Sequence, residues 1–194
     1  MHLIFDTETS GLPTAQAAEH PEQPRVMQVG AQLLDNDFVV RGELNLLLKW
    51  PDRYDVHPLA FKAHGISWEM TQDLGVCPAQ AADLFAIFVE RAKHFAAFNA
   101  KFDFQLTTIW AAQTRRPKPF FQTQPFCPML ALTPIMKLPG KWANSFKRPN
   151  LQEAHVFCTG RQFDGAHDAM ADVRALGEVY KWLKRREAEQ KELL

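Results

Sequence analysis

Apolar and polar residues alternate over much of the first fifty residues. A short apolar run at 3–5 leads directly to Asp6, a pattern that predicts a buried strand with a carboxylate at its end. Apolar side chains then occupy every second position in two stretches, 27–33 and 38–48, on either side of a short Asp/Asn segment at 35–37. Two such stretches joined by a tight polar turn predict an antiparallel hairpin.

The spacing of apolar residues becomes helical after about residue 79. One helical face is formed by Ala81, Leu84, Phe85, Phe88 and Ala92, and another by Ala169, Val173, Leu176, Tyr180 and Leu183. Further helices are predicted at 99–113, 129–138 and 151–157, and short strands at 95–98 and 120–126. The order β-β-β-α-β-α-β-α…α predicts an α/β protein with a five-stranded mixed sheet, an opening antiparallel meander and helices on its faces.

Composition limits the classes of protein that fit this pattern. A chain of 194 residues indicates one domain, which we place at 1–186, with 187–194 as a charged helix end or tail. Lys plus Arg and Asp plus Glu both number 22, so nucleic-acid binding requires a local site. The longest apolar run, 84–89, is far too short to span a membrane, and only three apolar residues precede Asp6. With three cysteines and no C-x-x-C pair, we expect reduced thiols and a cytoplasmic protein.

A pair of carboxylates ends the first predicted strand. Asp6 and Glu8 lie on the same face because side chains alternate along a strand. Two carboxylates at the end of a core strand repel each other unless a cation lies between them, and Mg²⁺ prefers carboxylate oxygens. The same spacing recurs at 35–37 and 187–189, where turn formation and a solvated helix face explain it.

Two further carboxylates border apolar helix faces. Asp103 lies beside a stripe that includes Phe102 and Leu106, and Asp172 precedes Val173. A buried carboxylate is costly unless it is paired or binds a metal, and for Asp103 an ion pair with Lys or Arg is an equal alternative. Helix capping explains Asn99 and Asp168. His167 immediately precedes the last helix and is free to face the same cavity as Asp172.

Three blocks of the chain, in this order, resemble the DEDD exonuclease superfamily in its histidine branch (DEDDh). This group includes the proofreading subunit of the bacterial replicative polymerase, exonuclease X and ribonuclease T. Residues 6–12 match Asp-x-Glu-Thr-[Thr/Ser]-Gly-Leu, Asn99 and Asp103 match Asn-x3-Asp, and His167 and Asp172 match His-x4-Asp. The tyrosine branch requires Tyr where this chain has Asp168, and the resemblance extends over about residues 2–180.

The resemblance implies an RNase H-like three-layer fold and a metal-dependent 3′→5′ exonuclease that releases nucleoside 5′-monophosphates. Two Mg²⁺ or Mn²⁺ ions would be held by Asp6, Glu8, Asp103 and Asp172, and His167 would be the general base. Substrate contacts are implied for Thr7, Thr9, Gly11, Leu12, His64, Ile66 and Asn99. Leu12 and Ile66 would enclose the terminal base, with core packing as the alternative for both.

The residues leave the substrate and partners open. We expect a DNA exonuclease of proofreading or repair type acting on single-stranded or frayed 3′ ends, with an exoribonuclease as the alternative. An inactive domain that binds nucleic acid or a polymerase, and a small-molecule phosphodiesterase, are further alternatives. Any polymerase or sliding clamp would act in trans, and residues 190–194 only faintly resemble a clamp-binding peptide. Lys141, Lys147 and Arg148 are candidates for phosphate contacts, with solvated loop charges as the alternative.

Overall fold

Residues 1–116, 124–142 and 144–192 are described by the computed structural model. Within them, four strands form one mixed sheet in the order β3-β2-β1-β4. The strands are β1 (His2–Thr9), β2 (Val26–Leu34), β3 (Val40–Leu47) and β4 (His94–Ala96). β2 is antiparallel to β1 and β3, whereas β4 is parallel to β1. The predicted α/β class and mixed sheet with an opening meander are confirmed.

The predicted number of five strands is wrong for the described residues. Residues 120–123 of the expected fifth strand lie outside them, and Phe126 contributes only an isolated parallel bridge to Ala96. In this bridge the Phe126 amide donates to the Phe95 carbonyl over 2.7 Å. A single bridge next to the three-residue β4 extends the sheet without forming a ladder.

Seven helices are found in the described residues. They are α1 (Pro58–His64), α2 (Trp68–Leu74), α3 (Pro78–Arg91), α4 (Ala100–Gln113), α5 (Pro128–Met136), α6 (Leu151–Thr159) and α7 (Ala169–Glu192). The first two were not predicted, because each has only seven residues and together they bury a single side chain, that of Thr71. Helices this short carry no apolar stripe long enough to show a helical period.

Helices cover both faces of the sheet and make the fold three layers deep. On one face, Leu3 and Phe5 of β1 pack against Phe85 of α3 and Trp110 of α4. On the other face, Ile4 packs in a cluster that includes α7 residues such as Val173, Leu176 and Tyr180. Because side chains alternate, Thr7 points toward the α4 side, and Asp6 and Glu8 point toward the α7 side.

The last helix of the described chain extends beyond the predicted domain boundary. Helix α7 continues to Glu192, so residues 187–192 extend that helix, while the domain boundary at 186 stays a prediction.

Cys77, Cys127 and Cys158 carry free thiols. In the part of the chain that the structure describes, no helix combines the length and hydropathy that membrane spanning requires.

Candidate active site

The short β4 strand leaves one edge of β1 open near its carboxyl end. β4 pairs only with residues His2, Leu3 and Ile4, and helix α4 begins just beyond it. Asp103 of α4 occupies the open edge, where its Oδ1 atom accepts hydrogen bonds from the Thr7 amide (3.1 Å) and the Thr7 hydroxyl (2.8 Å). Thr7 therefore fixes the position of the Asp103 carboxylate beside the β1 acids.

Asp103 is 2% exposed and forms no ion pair with any described Lys or Arg. The ion-pair alternative for this carboxylate therefore has no support among residues 1–116, 124–142 and 144–192. Burial raises the pKa of Asp103 to about 7, although the two hydrogen bonds from Thr7 act in the opposite direction. An unpaired carboxylate in this environment favours a bound cation.

The start of α7 brings the third block to the same place. Asp168 caps the helix as predicted, because its Oδ1 atom accepts from the Ala171 amide over 2.9 Å. Asp172 lies one turn later, and its carboxylate accepts long contacts of 3.3 and 3.4 Å from the His167 amide. His167 is exposed and has a left-handed backbone with φ of 69°. Its ring therefore stands at the solvent side of the Asp172 carboxylate.

The predicted carboxylates interact electrostatically with one another. Burial raises the pKa of Asp6 well above its usual value, and the charges of Asp103, Glu8 and Asp172 raise it further. Burial, followed by the charges of Asp172 and Asp103, raises the pKa of Glu8 to about 8. Burial also raises the pKa of Asp172 to about 6. The structure thus gathers Asp6, Glu8, Asp103 and Asp172 at the end of β1.

This donor set fits a divalent cation. Glu8, His167 and Asp172 each offer one ligand atom, and the three atoms lie within 4.8 Å of one another. Among the described residues, none of the carboxylates in this cluster is neutralised by Lys or Arg. Hard oxygen ligands with unbalanced negative charge suit Mg²⁺ or Mn²⁺.

A cavity of about 520 Å³ opens beside Glu8 and contains most of the predicted substrate-contacting residues. Its lining includes Thr7, Thr9, Gly11, Leu12, His64 and Phe102. The Leu12 side chain is 78% exposed, whereas Ile66 is only 5% exposed and does not line the cavity. Of the two residues expected to enclose a base, the structure places only Leu12 on the cavity surface.

Several predicted contact residues are already hydrogen-bonded within the protein. The Thr9 hydroxyl donates to the Gly11 carbonyl over 2.7 Å. His64 accepts at Nδ1 from the Ile66 amide, so its Nε2 atom carries the proton and donates to the Thr9 carbonyl over 3.0 Å. These bonds shape the cavity wall and set the tautomer of His64.

Asn99 precedes α4 as predicted, but the expected side-chain cap is wrong. Its side chain makes no capping hydrogen bond, and its backbone has a φ of 69°. A capping side chain needs an extended backbone to reach the first helical amides, which this left-handed conformation prevents. Asn99 is exposed and lines a different cavity from Leu12 and His64.

Two residues of β2 hold the start of α7, and the sequence pattern did not single them out. The Gln28 side chain donates to Asp168 over 2.9 Å and accepts from the Ala169 amide over 3.1 Å. A side chain at Gly30 would place its Cβ atom 2.6 Å from the Ala169 carbonyl oxygen. Gly30 lies directly opposite Asp6. An isolated glycine in an apolar strand is the signal that could have identified this close approach.

Replacing Gly30 by alanine is expected to lower kcat about 10- to 100-fold, because α7 must move away from β2 and carry Asp172 with it. Steady-state kinetics on a single-stranded oligonucleotide and a melting curve measure the effect. Gly42→Ala is the control, since its added Cβ atom would meet only the Phe88 ring at 3.4 Å. A folded Gly30→Ala protein with the kcat of the unchanged protein would show that this close packing does not position Asp172.

The raised carboxyl pKa values predict how stability depends on pH and cations. When the pKa of a carboxyl group is higher in the folded than in the unfolded protein, the group stabilises the fold at low pH. This stabilisation is lost as the pH rises through the pKa of the folded state. In the folded protein the pKa values of Asp172, Asp103 and Glu8 are about 6, 7 and 8. The melting temperature of the cation-free protein should therefore decrease as the pH rises from 5.5 to 8.5.

Mg²⁺ or Mn²⁺ should therefore raise the melting temperature more at pH 8.5 than at pH 5.5, by at least ~4 °C. Thermal unfolding with chelator and with each cation at both pH values measures this difference. Ca²⁺-free NaCl at equal ionic strength controls for general screening. Equal stabilisation by cations at both pH values would contradict the carboxylate cluster as their binding site.

One family of known proteins matches most of the chain. The family model described as Exonuclease (RNase_T) matches residues 3–180, which include all three blocks and both sheet faces. No match was found among curated proteins.

Solved structures of exonuclease I share the fold. Escherichia coli exonuclease I with a dT13 oligonucleotide has a TM-score of 0.78 at 22% identity, covering 99% of this chain and 42% of that one. The zinc-bound E. coli enzyme with single-stranded DNA has a TM-score of 0.77 at 23% identity, with coverage of 97% and 41%. A product-bound exonuclease I has a TM-score of 0.75 at 22% identity, with coverage of 97% and 44%. The chain thus spans less than half the length of these proteins.

Proposed function

Because the chain belongs to the DEDD 3′→5′ exonuclease family, we propose that it removes nucleotides from single-stranded or frayed DNA 3′ ends, releasing nucleoside 5′-monophosphates. The observation that carries this proposal is the cluster of Asp6, Glu8, Asp103 and Asp172 at the end of β1, with His167 at its solvent side. The exonuclease I structures with bound single-stranded DNA support DNA as the substrate.

The carboxylates would hold two Mg²⁺ or Mn²⁺ ions. Bound cations supply Lewis-acid stabilisation of the phosphoryl oxygens and favour ionisation of water. Asp103 is kept in place by Thr7, and Asp172 by the docking of α7 on Gln28 and Gly30. The exposed His167 ring is free to accept the proton of the attacking water as a general base.

The terminal nucleotide would occupy the cavity beside Glu8. Leu12 offers an exposed apolar side chain there, and Leu59 and Ala63 add further apolar surface. Apolar contacts tolerate any base, which suits an enzyme that removes successive nucleotides. The Thr9–Gly11 and His64–Thr9 hydrogen bonds keep this wall rigid around the 3′ end.

The proposal is tested with 5′-labelled DNA and RNA 20-mers of the same sequence, with Mg²⁺, with Mn²⁺ and with chelator. We expect stepwise shortening from the 3′ end that is faster on DNA than on RNA, and no shortening with chelator. Asp103→Asn serves as the inactive control, and a labelled 3′ end should release the nucleoside 5′-monophosphate.

Each alternative predicts a different result in the same assay. Faster shortening of RNA would favour the exoribonuclease. Binding of the 20-mers without shortening would favour an inactive binding domain, and hydrolysis of dinucleotides alone would favour a small-molecule phosphodiesterase. A proofreading or repair role, a polymerase or clamp partner in trans, and a cytoplasmic location stay predictions.

A further inference from the structure

A second cavity, which we call the α4–α5 groove, opens on the other side of the candidate active site. Its volume is about 410 Å³. The residues that matter for its chemistry are Asn99, Lys101, Phe104, Leu130 and Arg148. Asn99 is among the expected substrate contacts and Arg148 is a candidate for a phosphate contact, whereas Lys101, Phe104 and Leu130 were not singled out by the sequence.

The groove and the cavity beside Glu8 lie on opposite sides of Asp103. Phe102 lines the cavity beside Glu8, and Phe104 lines the α4–α5 groove. Residues two positions apart on a helix are rotated by about 200° around its axis, so these two aromatic side chains leave α4 in nearly opposite directions. Asp103, which lies between them in sequence, points to Thr7 of β1. A strand that crosses the carboxylates would therefore meet one aromatic residue on each side.

The groove combines apolar surface with positive charge. Phe104 is 39% exposed and Leu130 is 51% exposed. Lys101 and Arg148 are both exposed, and neither forms an ion pair with another described residue. The neighbouring Lys147 differs, because it pairs with Glu153. None of the described residues that line the groove is acidic.

This chemistry matches an unpaired segment of nucleic acid. Bases present flat apolar faces that pack on aromatic and aliphatic side chains, while the phosphates attract Lys and Arg. The protein as a whole has equal numbers of acidic and basic residues, so binding of nucleic acid depends on local groups such as Lys101 and Arg148.

We propose that the α4–α5 groove binds the nucleotides immediately 5′ of the scissile bond, with a base on Phe104 and Leu130 and phosphates on Lys101 and Arg148. This proposal rests on the proposed function and adds a second substrate subsite to it. A duplex cannot present an unstacked base to Phe104, so the groove also selects single-stranded ends.

The test compares a ligand that reaches the groove with one that does not. The substrate dT10 is expected to span both cavities, whereas thymidine 5′-monophosphate is expected to fill only the terminal position and to inhibit competitively. The variants are Phe104→Ala and the double variant Lys101→Gln/Arg148→Gln. The control double variant is Arg185→Gln/Lys191→Gln, whose exposed side chains lie more than about 20 Å along α7 from Ala169.

Phe104→Ala should raise KM for dT10 about 10-fold with little change in kcat or in the inhibition constant of thymidine 5′-monophosphate. The Lys101→Gln/Arg148→Gln variant should also raise KM and should reduce the slope of log KM against log salt by about 1.4. Phe104→Ala and the control should retain the original salt slope.

The outcomes separate the two proposals. If the unchanged protein shortens no oligonucleotide, the proposed function fails. If it is active but the groove variants keep its KM and salt slope on dT10, the groove proposal fails. A matching loss of affinity for thymidine 5′-monophosphate would also overturn the groove proposal, since that result would place the defect in the terminal site.

Discussion

Replacing Asp6 by asparagine should reduce exonuclease activity at least ~10³-fold, since a metal site is worth several kcal/mol of transition-state stabilisation. The Asp6 carboxyl is buried and interacts with Asp103, Glu8 and Asp172. Removing its charge should weaken cation binding, which is measured as a loss of the Mg²⁺-dependent rise in melting temperature. Single-turnover rates on a labelled oligonucleotide measure the chemical step.

The same substitution should stabilise the cation-free protein, by about 2–4 °C in melting temperature. Burial and three neighbouring carboxylates make the charged form of Asp6 unfavourable, so the neutral amide relieves repulsion. Asp37→Asn is the matched control, because this residue has the same type of side chain at an exposed hairpin turn. Full activity of Asp6→Asn would refute the assignment of the metal site to the end of β1.

Substitution of His167 by alanine should lower kcat about 10²- to 10³-fold and leave KM nearly unchanged, as expected for loss of a general base. Part of the lost rate should return at high pH, where hydroxide is more abundant. A pH–rate profile of kcat from pH 6 to 10 measures both effects. His20→Gln is the control, since it replaces a histidine in a loop far from the third block in sequence.

The position of His167 allows a second role, and the same variant distinguishes it. One His167 ring nitrogen lies within 4.8 Å of ligand atoms of Glu8 and Asp172. If His167→Ala abolished cation-dependent stabilisation as fully as Asp6→Asn, His167 would be a metal ligand and its assignment as the base would be wrong. Unchanged kcat would remove it from the mechanism.

Long periodic segments were predicted well because their core contacts repeat along the chain. α3 and α7 bury side chains at helical spacing over several turns, and their positions follow from that spacing. The surface helices α1 and α2 were missed because they bury almost nothing. In the described part of the chain the fifth strand is missing and Phe126 forms only an isolated bridge, because an apolar pattern indicates burial without determining whether a ladder forms.

The alternating pattern of β2 shows a further limit. Gln28 and Gln32 occupy the polar positions of the alternation, yet they are 5% and 6% exposed. They are buried because α7 covers that face, and they bond to Asp168 and to Glu43. A helix about 140 residues away in sequence decides the environment of these side chains, which local periodicity cannot report.

The sequence by itself predicted the candidate catalytic residues, and it determined that Asp6 and Glu8 share a face, because alternation along a strand is a local property. Only the tertiary structure decided that Asp103 and Asp172 join them. The short β4 leaves the Thr7 amide free to bind Asp103, and Gly30 lets α7 approach β2 closely enough to bring Asp172 to the cluster. Both contacts depend on packing between segments far apart in the chain, and no spacing of residues along the sequence encodes such a distance.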